Sequence, residues 1–284
     1  MLTVLESLKL SAEYLEKKGI ESPRLNAELL LADVLNCKRL DLYLKYDQPL
    51  SEDEINKYRE YLSRRSKNEP LQYIVGKAEF YGLEFKVNPS VLIPRPETEL
   101  LVETIINLEK DKSKTLILDI GTGSGNIAIT LAKYLPYAKI IAMDISSEAL
   151  NVAKENSEFY NTSNQIEFIR KNIFDDFSLY DLKFDVVVSN PPYVSIEDYN
   201  FLQKEIINYE PKIAVTDNED GMKFYKRITQ ISKQCLKSNG KLFYEIGKGQ
   251  SEIISKMMAE ENFYDIHILK DYQQIDRVIY GTKK

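Results

Sequence analysis

The chain has 284 residues, 43% of them hydrophobic and 29% charged, which is enough apolar material for a sizeable core and excludes disorder as the default. A formal net charge of −6 excludes the broad positive field with which non-specific nucleic-acid binders capture phosphates, leaving only a local basic patch such as Arg64-Arg65 for that purpose. Two cysteines, Cys37 and Cys235, make no disulfide framework or cysteine metal site and read as reduced, half-buried thiols; with no signal-peptide pattern and no run of about 18 apolar residues, the expectation is a cytoplasmic protein without a membrane span.

Residues 1–70 read as a small helical domain. Leu5, Leu8, Ala12 and Leu15 share a helical face before Gly19; Ser22-Pro23 offers an N-cap and a proline first turn ahead of Leu25, Leu29, Leu30 and Val34; Ser51 and Glu54 match a capping box. Across 71–90 the period changes. Aromatic and β-branched residues gather around Gly76 and Gly82, and Leu83, Phe85 and Val87 alternate with charged neighbours, as in a β-hairpin linker.

From 91 to 284 strand-like runs alternate with helical stretches: Thr115–Asp119, Lys139–Asp144, Gln165–Ile169, Phe184–Val188 and Lys241–Ile246. The closely spaced runs Ile266–Leu269 and Arg277–Tyr280 suit an antiparallel pair at the end of the sheet. The predicted fold class is α/β, a mostly parallel seven-stranded sheet covered by helices, with the helical domain and hairpin preceding it.

Asp119-Ile-Gly121-Thr122-Gly123-Ser124-Gly125 follows the first of these runs and precedes a helix starting near Asn126. Its glycines allow positive φ and close approach of a ligand to the backbone, and a helix N-terminus also suits an anion. The spacing is G-x-G-x-G, not the G-x-G-x-x-G of dinucleotide folds. Asp144 ends the next strand, where a carboxylate accepts hydrogen bonds from both ribose hydroxyls, so it points to a nucleoside cofactor without naming one. Asn190-Pro191-Pro192-Tyr193 follows a further strand, at the carboxyl end where open α/β sheets place ligands. Two prolines stiffen the backbone and remove two donors, leaving carbonyls and the Asn190 side-chain oxygen as acceptors for a planar nitrogen, and Tyr193 can stack on its flat face.

The acid-flanked G-x-G-x-G loop resembles the first motif of Rossmann-like methyltransferases, which implies that it wraps the methionine and ribose of S-adenosylmethionine. Asn-Pro-Pro-Tyr resembles the signature of adenine-N6, guanine-N2 and glutamine-N5 methyltransferases alike. The choice comes from Val91-Leu-Ile-Pro-Arg95-Pro-Glu97-Thr-Glu99 and the preceding Pro70-Leu-Gln-Tyr-Ile-Val-Gly76, joined by Ser22 to Leu31, Glu210-Pro, Asp220-Gly and Asp276-Arg-Val. Together these resemble the HemK/PrmC-type protein-(glutamine-N5) methyltransferases over nearly the full chain. That resemblance implies a peptide-chain release factor as partner, recognised partly by residues 1–70 and presenting the glutamine of a Gly-Gly-Gln loop. It also implies a catalytic and amide-binding group of Asn190, Pro191, Pro192 and Tyr193.

By the same resemblance the cofactor lies against Asp119, Gly121, Thr122, Gly123, Ser124, Gly125, Asp144, Asn172, Ile173 and Asn190, with Arg95 and Glu97 near the substrate entrance. Arg95 and Glu97 equally fit a proline-capped helix start with favourable acids. Asn172 departs from the family, whose members often carry Asp there as an adenine-side contact; Asn still accepts from an exocyclic amine, and Ile173 would flank the ring. Two other functions compete: methylation of an exocyclic amine of adenine or guanine in nucleic acid, and non-catalytic binding of release factors. The acidic charge and the lack of a nucleic-acid-binding module count against the first, and the intact motifs against the second. The single histidine, His267, supports neither a metal site nor a triad and reads as a packing residue.

Overall fold

The computed structural model describes residues 2–175 and 181–284, which fall into two compact units. The first comprises residues 1–77 and 203–209, and the second 78–202 and 210–284. Among the described residues no helix is long and apolar enough to cross a membrane.

The helical unit is built on helices Val4–Lys17, Pro23–Val34 and Glu52–Arg65, closed by the short Leu71–Val75 and joined by Lys204–Tyr209. Thr3 with Glu6, and Ser51 with Glu54, form reciprocal capping boxes that satisfy the first free amides of two helices. Val4, Leu8 and Leu15 meet Ala27, Leu30, Leu31 and Tyr58 in the core. Leu25, expected on the buried face of the second helix, is 42% exposed, because the face that packs runs through Ala27, Leu30 and Leu31. Arg64 and Arg65 do not make the local basic patch that the sequence left open. Arg65 is buried, its guanidinium donating to Asn26, to the Glu69 carbonyl and to Glu205 at 2.5 Å, while Arg64 pairs with Glu69 at 2.6 Å.

In the second unit a hairpin, β1 (Lys77–Phe80) and β2 (Leu83–Lys86), begins later than residue 71, since Leu71–Val75 is a helical turn. The remaining strands are β3 (Thr115–Ile120), β4 (Ala138–Asp144), β5 (Ile166–Arg170), β6 (Phe184–Ser189), β7 (Leu236–Glu245), β8 (Phe263–Lys270) and β9 (Asp276–Lys283). They form one sheet in the order β5-β4-β3-β6-β7-β9-β8, parallel from β5 to β7 and antiparallel where β9 joins β7 and β8. This is the mostly parallel seven-stranded α/β architecture. Runs such as Val186-Val187-Val188, fully buried, reflect coverage of the sheet on both faces. Cys235 is buried within one of the two cores, and burial pushes its thiol up to about 12.

The hairpin is fastened to this unit rather than left as a free linker. Phe80 and Phe85 are fully buried in its core, the Tyr160 hydroxyl bonds both polar groups of the Glu84 backbone at 2.7 Å, and Asn156 accepts from Lys86 N and donates to Lys86 O. Asn156 also donates to the Ser124 carbonyl at 2.9 Å, so one buried amide joins the hairpin to the glycine loop. Substituting Asn156→Ala leaves these backbone groups unpaired; the expected cost is about 2–3 kcal/mol, read from the shift of the urea unfolding midpoint.

Candidate active site

The parallel register sets Asp119 beside Ala142 of β4 and Val188 of β6, so three strands end together and the segments that follow them converge. Ser189 Oγ donates to the Ile120 carbonyl at 2.7 Å, clipping two of these ends. The glycine loop is held against β4: the amides of Gly121 and Thr122 both donate to the Met143 carbonyl, at 2.8 and 3.0 Å, and Gly123 N donates to Asp144 Oδ2 at 3.0 Å. Gly121, Gly123 and Gly125 adopt φ of 77, 55 and 82°. At Gly125 a Cβ would also lie 2.8 Å from Ile129 Cδ1 and 3.2 Å from Ala153 Cβ, so the helix beginning at Asn126 packs there only because the side chain is missing.

These ends surround a cavity of about 730 Å³, a size suited to a nucleoside-sized ligand. Of the residues singled out from sequence, Gly121, Gly123, Asp144, Asn172, Ile173, Asn190, Pro191 and Pro192 line it, and Leu92, Met143, Phe174 and Phe224 add apolar wall. Asp119, Thr122 and Ser124 are buried and, like Gly125, stand outside the lining, as do Tyr193, Arg95 and Glu97.

The Asp119 carboxylate is fully buried, and among the described residues neither oxygen finds a full hydrogen bond. Burial pushes its pKa from 3.8 to about 7, with Thr122 pulling it back only in part and Asp144 adding to the rise. Asp144 is also raised by burial, although the amides of Ser146 and Gly123 favour its ionised form. Ser146 in turn caps helix Ser147–Phe159 by accepting from Ala149 N. Asn172 Oδ1 accepts from Phe174 N at 3.0 Å, so one acceptor lone pair of this departure from the family pattern is spent on shaping its own turn.

Asn190 donates from Nδ2 to Thr98 Oγ1 at 3.2 Å; Thr98 donates to Glu245 Oε2 at 2.5 Å; Tyr193 donates to Glu245 Oε1 at 3.2 Å. Burial pushes the Tyr193 hydroxyl far above its ordinary value, which keeps it a neutral donor. Gln250 Nε2 donates to the Tyr193 carbonyl at 2.9 Å, and a Cβ at Gly221 would lie 2.3 Å from that oxygen, so the backbone approaches Tyr193 where only glycine fits. Arg95 forms an ion pair with the buried Glu210, whose other oxygen accepts from Ile93 N at 3.3 Å. This joins two segments that sequence marked separately. Thr98, Glu245, Gln250 and Asn156 escaped sequence reading; Thr98 lay inside the Pro-Arg-Pro-Glu-Thr-Glu stretch, and the others carry no local signal. Glu97 is partly buried on the helix Glu97–Glu109, and His267 stacks on Tyr280 with centroids 4.8 Å apart. Among the described residues no group of three or more His, Cys, Asp or Glu side chains is placed to hold a metal.

Residues 6–76 match the PrmC N-terminal domain family and residues 111–282 the Methyltransferase domain family. A release factor glutamine methyltransferase of Fusobacterium nucleatum is 42% identical over 96% of this chain and 77% of its own length, and that of Geobacter sulfurreducens is 39% identical over 98% and 96%. The chain belongs to the release factor glutamine methyltransferase family. Among solved structures, the hMettl16 catalytic domain in complex with the MAT2A 3'UTR hairpin 6 superposes with a TM-score of 0.57 at 18% identity, covering 82% of this chain and 83% of that one. At that identity the likeness is one of fold.

For this family member the unpaired Asp119 has a measurable cost. Its folded pKa lies above the unfolded value, so the stability it lends is complete below about pH 4 and is lost as pH rises to about 7. Asp119→Asn is expected to remove that decline. The difference between the two stability–pH curves of the ligand-free proteins, from chemical denaturation, should reach on the order of 4 kcal/mol by pH 8.

Proposed function

We propose that this protein transfers a methyl group from S-adenosylmethionine to the side-chain amide nitrogen (N5) of the glutamine in the Gly-Gly-Gln loop of a peptide-chain release factor, in the cytoplasm where translation ends. The observation that carries this reading is the placing of the acceptor-rich Asn190-Pro191-Pro192 wall on the same apolar cavity as Gly121, Gly123 and Asp144, in a chain whose relatives bear that name.

The residues present fit such a cofactor. The buried, unpartnered carboxylate of Asp119 behind the glycine loop offers negative potential to a cation, Asp144 retains lone pairs for ribose hydroxyls, and Ile173 and Phe224 offer apolar faces to a base. When bound, S-adenosylmethionine would supply an electrophilic methyl on a sulfonium, whose sulfur would keep the C–S bonding pair when the amide nitrogen takes the methyl.

The protein's part is to make that lone pair available. In a free amide it is delocalised into the carbonyl, so acceptors gripping both N–H groups are needed to favour pyramidal nitrogen. Asn190 Oδ1 and the carbonyls beside the two prolines supply them on a rigid segment. Tyr193, tethered through Glu245 and Gln250 outside the cavity lining, stiffens the segment behind that wall. The surplus proton on the methylated nitrogen is strongly acidic and passes to water, so no side-chain base is assigned. The helical unit of residues 1–77 would recognise the body of the release factor.

Incubation with S-adenosylmethionine and unmodified release factor, followed by peptide mass spectrometry, should show one added methyl on the Gly-Gly-Gln glutamine. Methyl incorporation into DNA or RNA but not release factor would move the substrate to a nucleic-acid amine. Asn190→Ala should lower kcat by about 100-fold or more while leaving S-adenosylmethionine affinity within about threefold, by calorimetry.

A further inference from the structure

We infer that Thr98 and Glu245 act as positioning residues that fix which end of the Asn190 amide faces the substrate. The inference rests on the glutamine reading above and assigns a directional hydrogen-bond relay to that site.

The available protons fix the direction of each bond. Glu245 ends β7, is 1% exposed, and as a carboxylate can only accept; its two oxygens take the hydroxyl protons of Thr98 and Tyr193. Burial raises the Glu245 pKa, while those two hydroxyls and Arg277 pull it back toward the ionised form. The Thr98 hydroxyl has one proton, and the 2.5 Å contact commits it to Glu245. Toward Asn190 it therefore shows only lone pairs, and Asn190 must answer with Nδ2, at 3.2 Å. The other branch of the amide, Oδ1, is then left for the cavity that Asn190 lines.

The direction matters because the substrate amide brings two N–H donors. With Oδ1 turned to the cavity, donor meets acceptor; with the amide flipped, NH₂ would face NH₂, and the grip on the nucleophilic nitrogen would be lost. An Asn side chain is nearly symmetric in shape, so only its partners can choose between the two orientations. A hydroxyl free to rotate would accept from Nδ2 or donate to Oδ1 and so choose neither orientation. No other side chain accepts at both ends as a carboxylate does: a glutamine at 245 would accept from one of Thr98 and Tyr193 and donate to the other. The separation in sequence, 92 residues from Thr98 to Asn190 and 147 from Thr98 to Glu245, explains why no local motif carries the relay.

The test compares wild type, Thr98→Ser and Thr98→Val with release factor as substrate. Thr98→Ser, which keeps the hydroxyl, should retain kcat within about threefold; Thr98→Val should lose at least about tenfold in kcat with KM and S-adenosylmethionine affinity within about threefold. Wild-type kcat in Thr98→Val, or an equal loss in Thr98→Ser, would overturn the relay. A readout free of substitution and of substrate is the exchange of the Asn190 Nδ2 protons in the wild-type protein by NMR. Exchange at least about tenfold slower than that of exposed Asn side chains is expected, and exchange at the exposed rate overturns the relay. Should wild type fail to methylate release factor, the substrate reading falls, and the Asn190 exchange rate still decides the relay.

Discussion

A pair of backbone hydrogen bonds to one carbonyl, from Gly121 and Thr122 to Met143, holds the glycine loop down on the end of β4, and the cavity takes its shape from that contact. It exists because β3 and β4 pair in parallel, so that both strands finish at the same edge of the sheet. Gly123 adds a third bond from the loop to Asp144, which places a carboxylate of β4 beside the backbone of the β3 loop. On the other flank of β3, Ser189 ties β6 to Ile120, and the Asn-Pro-Pro segment starts from that point. The glycine loop and the Asn-Pro-Pro segment are neighbours because their strands are.

The same edge of the sheet gathers buried carboxylates. Asp119 has no full hydrogen bond and rises to about 7, whereas Glu245 takes two hydroxyl donors and stands near Arg277. Burying an acid without a full hydrogen bond works against folding. Glu245 has the opposite character: its donors are on the protein, and its effect is to give direction to the groups around it.

The tyrosine of the Asn-Pro-Pro-Tyr segment illustrates how much protein stands behind a short motif. Tyr193 is tethered at its hydroxyl by Glu245 and at its carbonyl by Gln250, and is approached by backbone at Gly221. Asp217 secures that approach by accepting from Gly221 N at 3.0 Å and from Lys223 N at 3.1 Å. A ring held this way stays fixed behind the Asn190-Pro191-Pro192 wall.

The sequence by itself determined what is local. Positive-φ glycines, paired prolines, capping boxes and runs of buried β-branched residues act within a few positions of the chain, so the α/β alternation, the G-x-G-x-G loop and Asn190 to Tyr193 were legible before any contact was known. Tertiary structure decided the partners. That Arg65 turns inward to Glu205, that Leu25 stays outside the core, that residues 203–209 join the helical unit, and that Arg95 meets Glu210 are outcomes of packing among distant segments. So is the chain of bonds from Asn190 through Thr98 to Glu245, since a hydroxyl's single proton goes to the strongest acceptor within reach, and only the folded chain sets which acceptor that is.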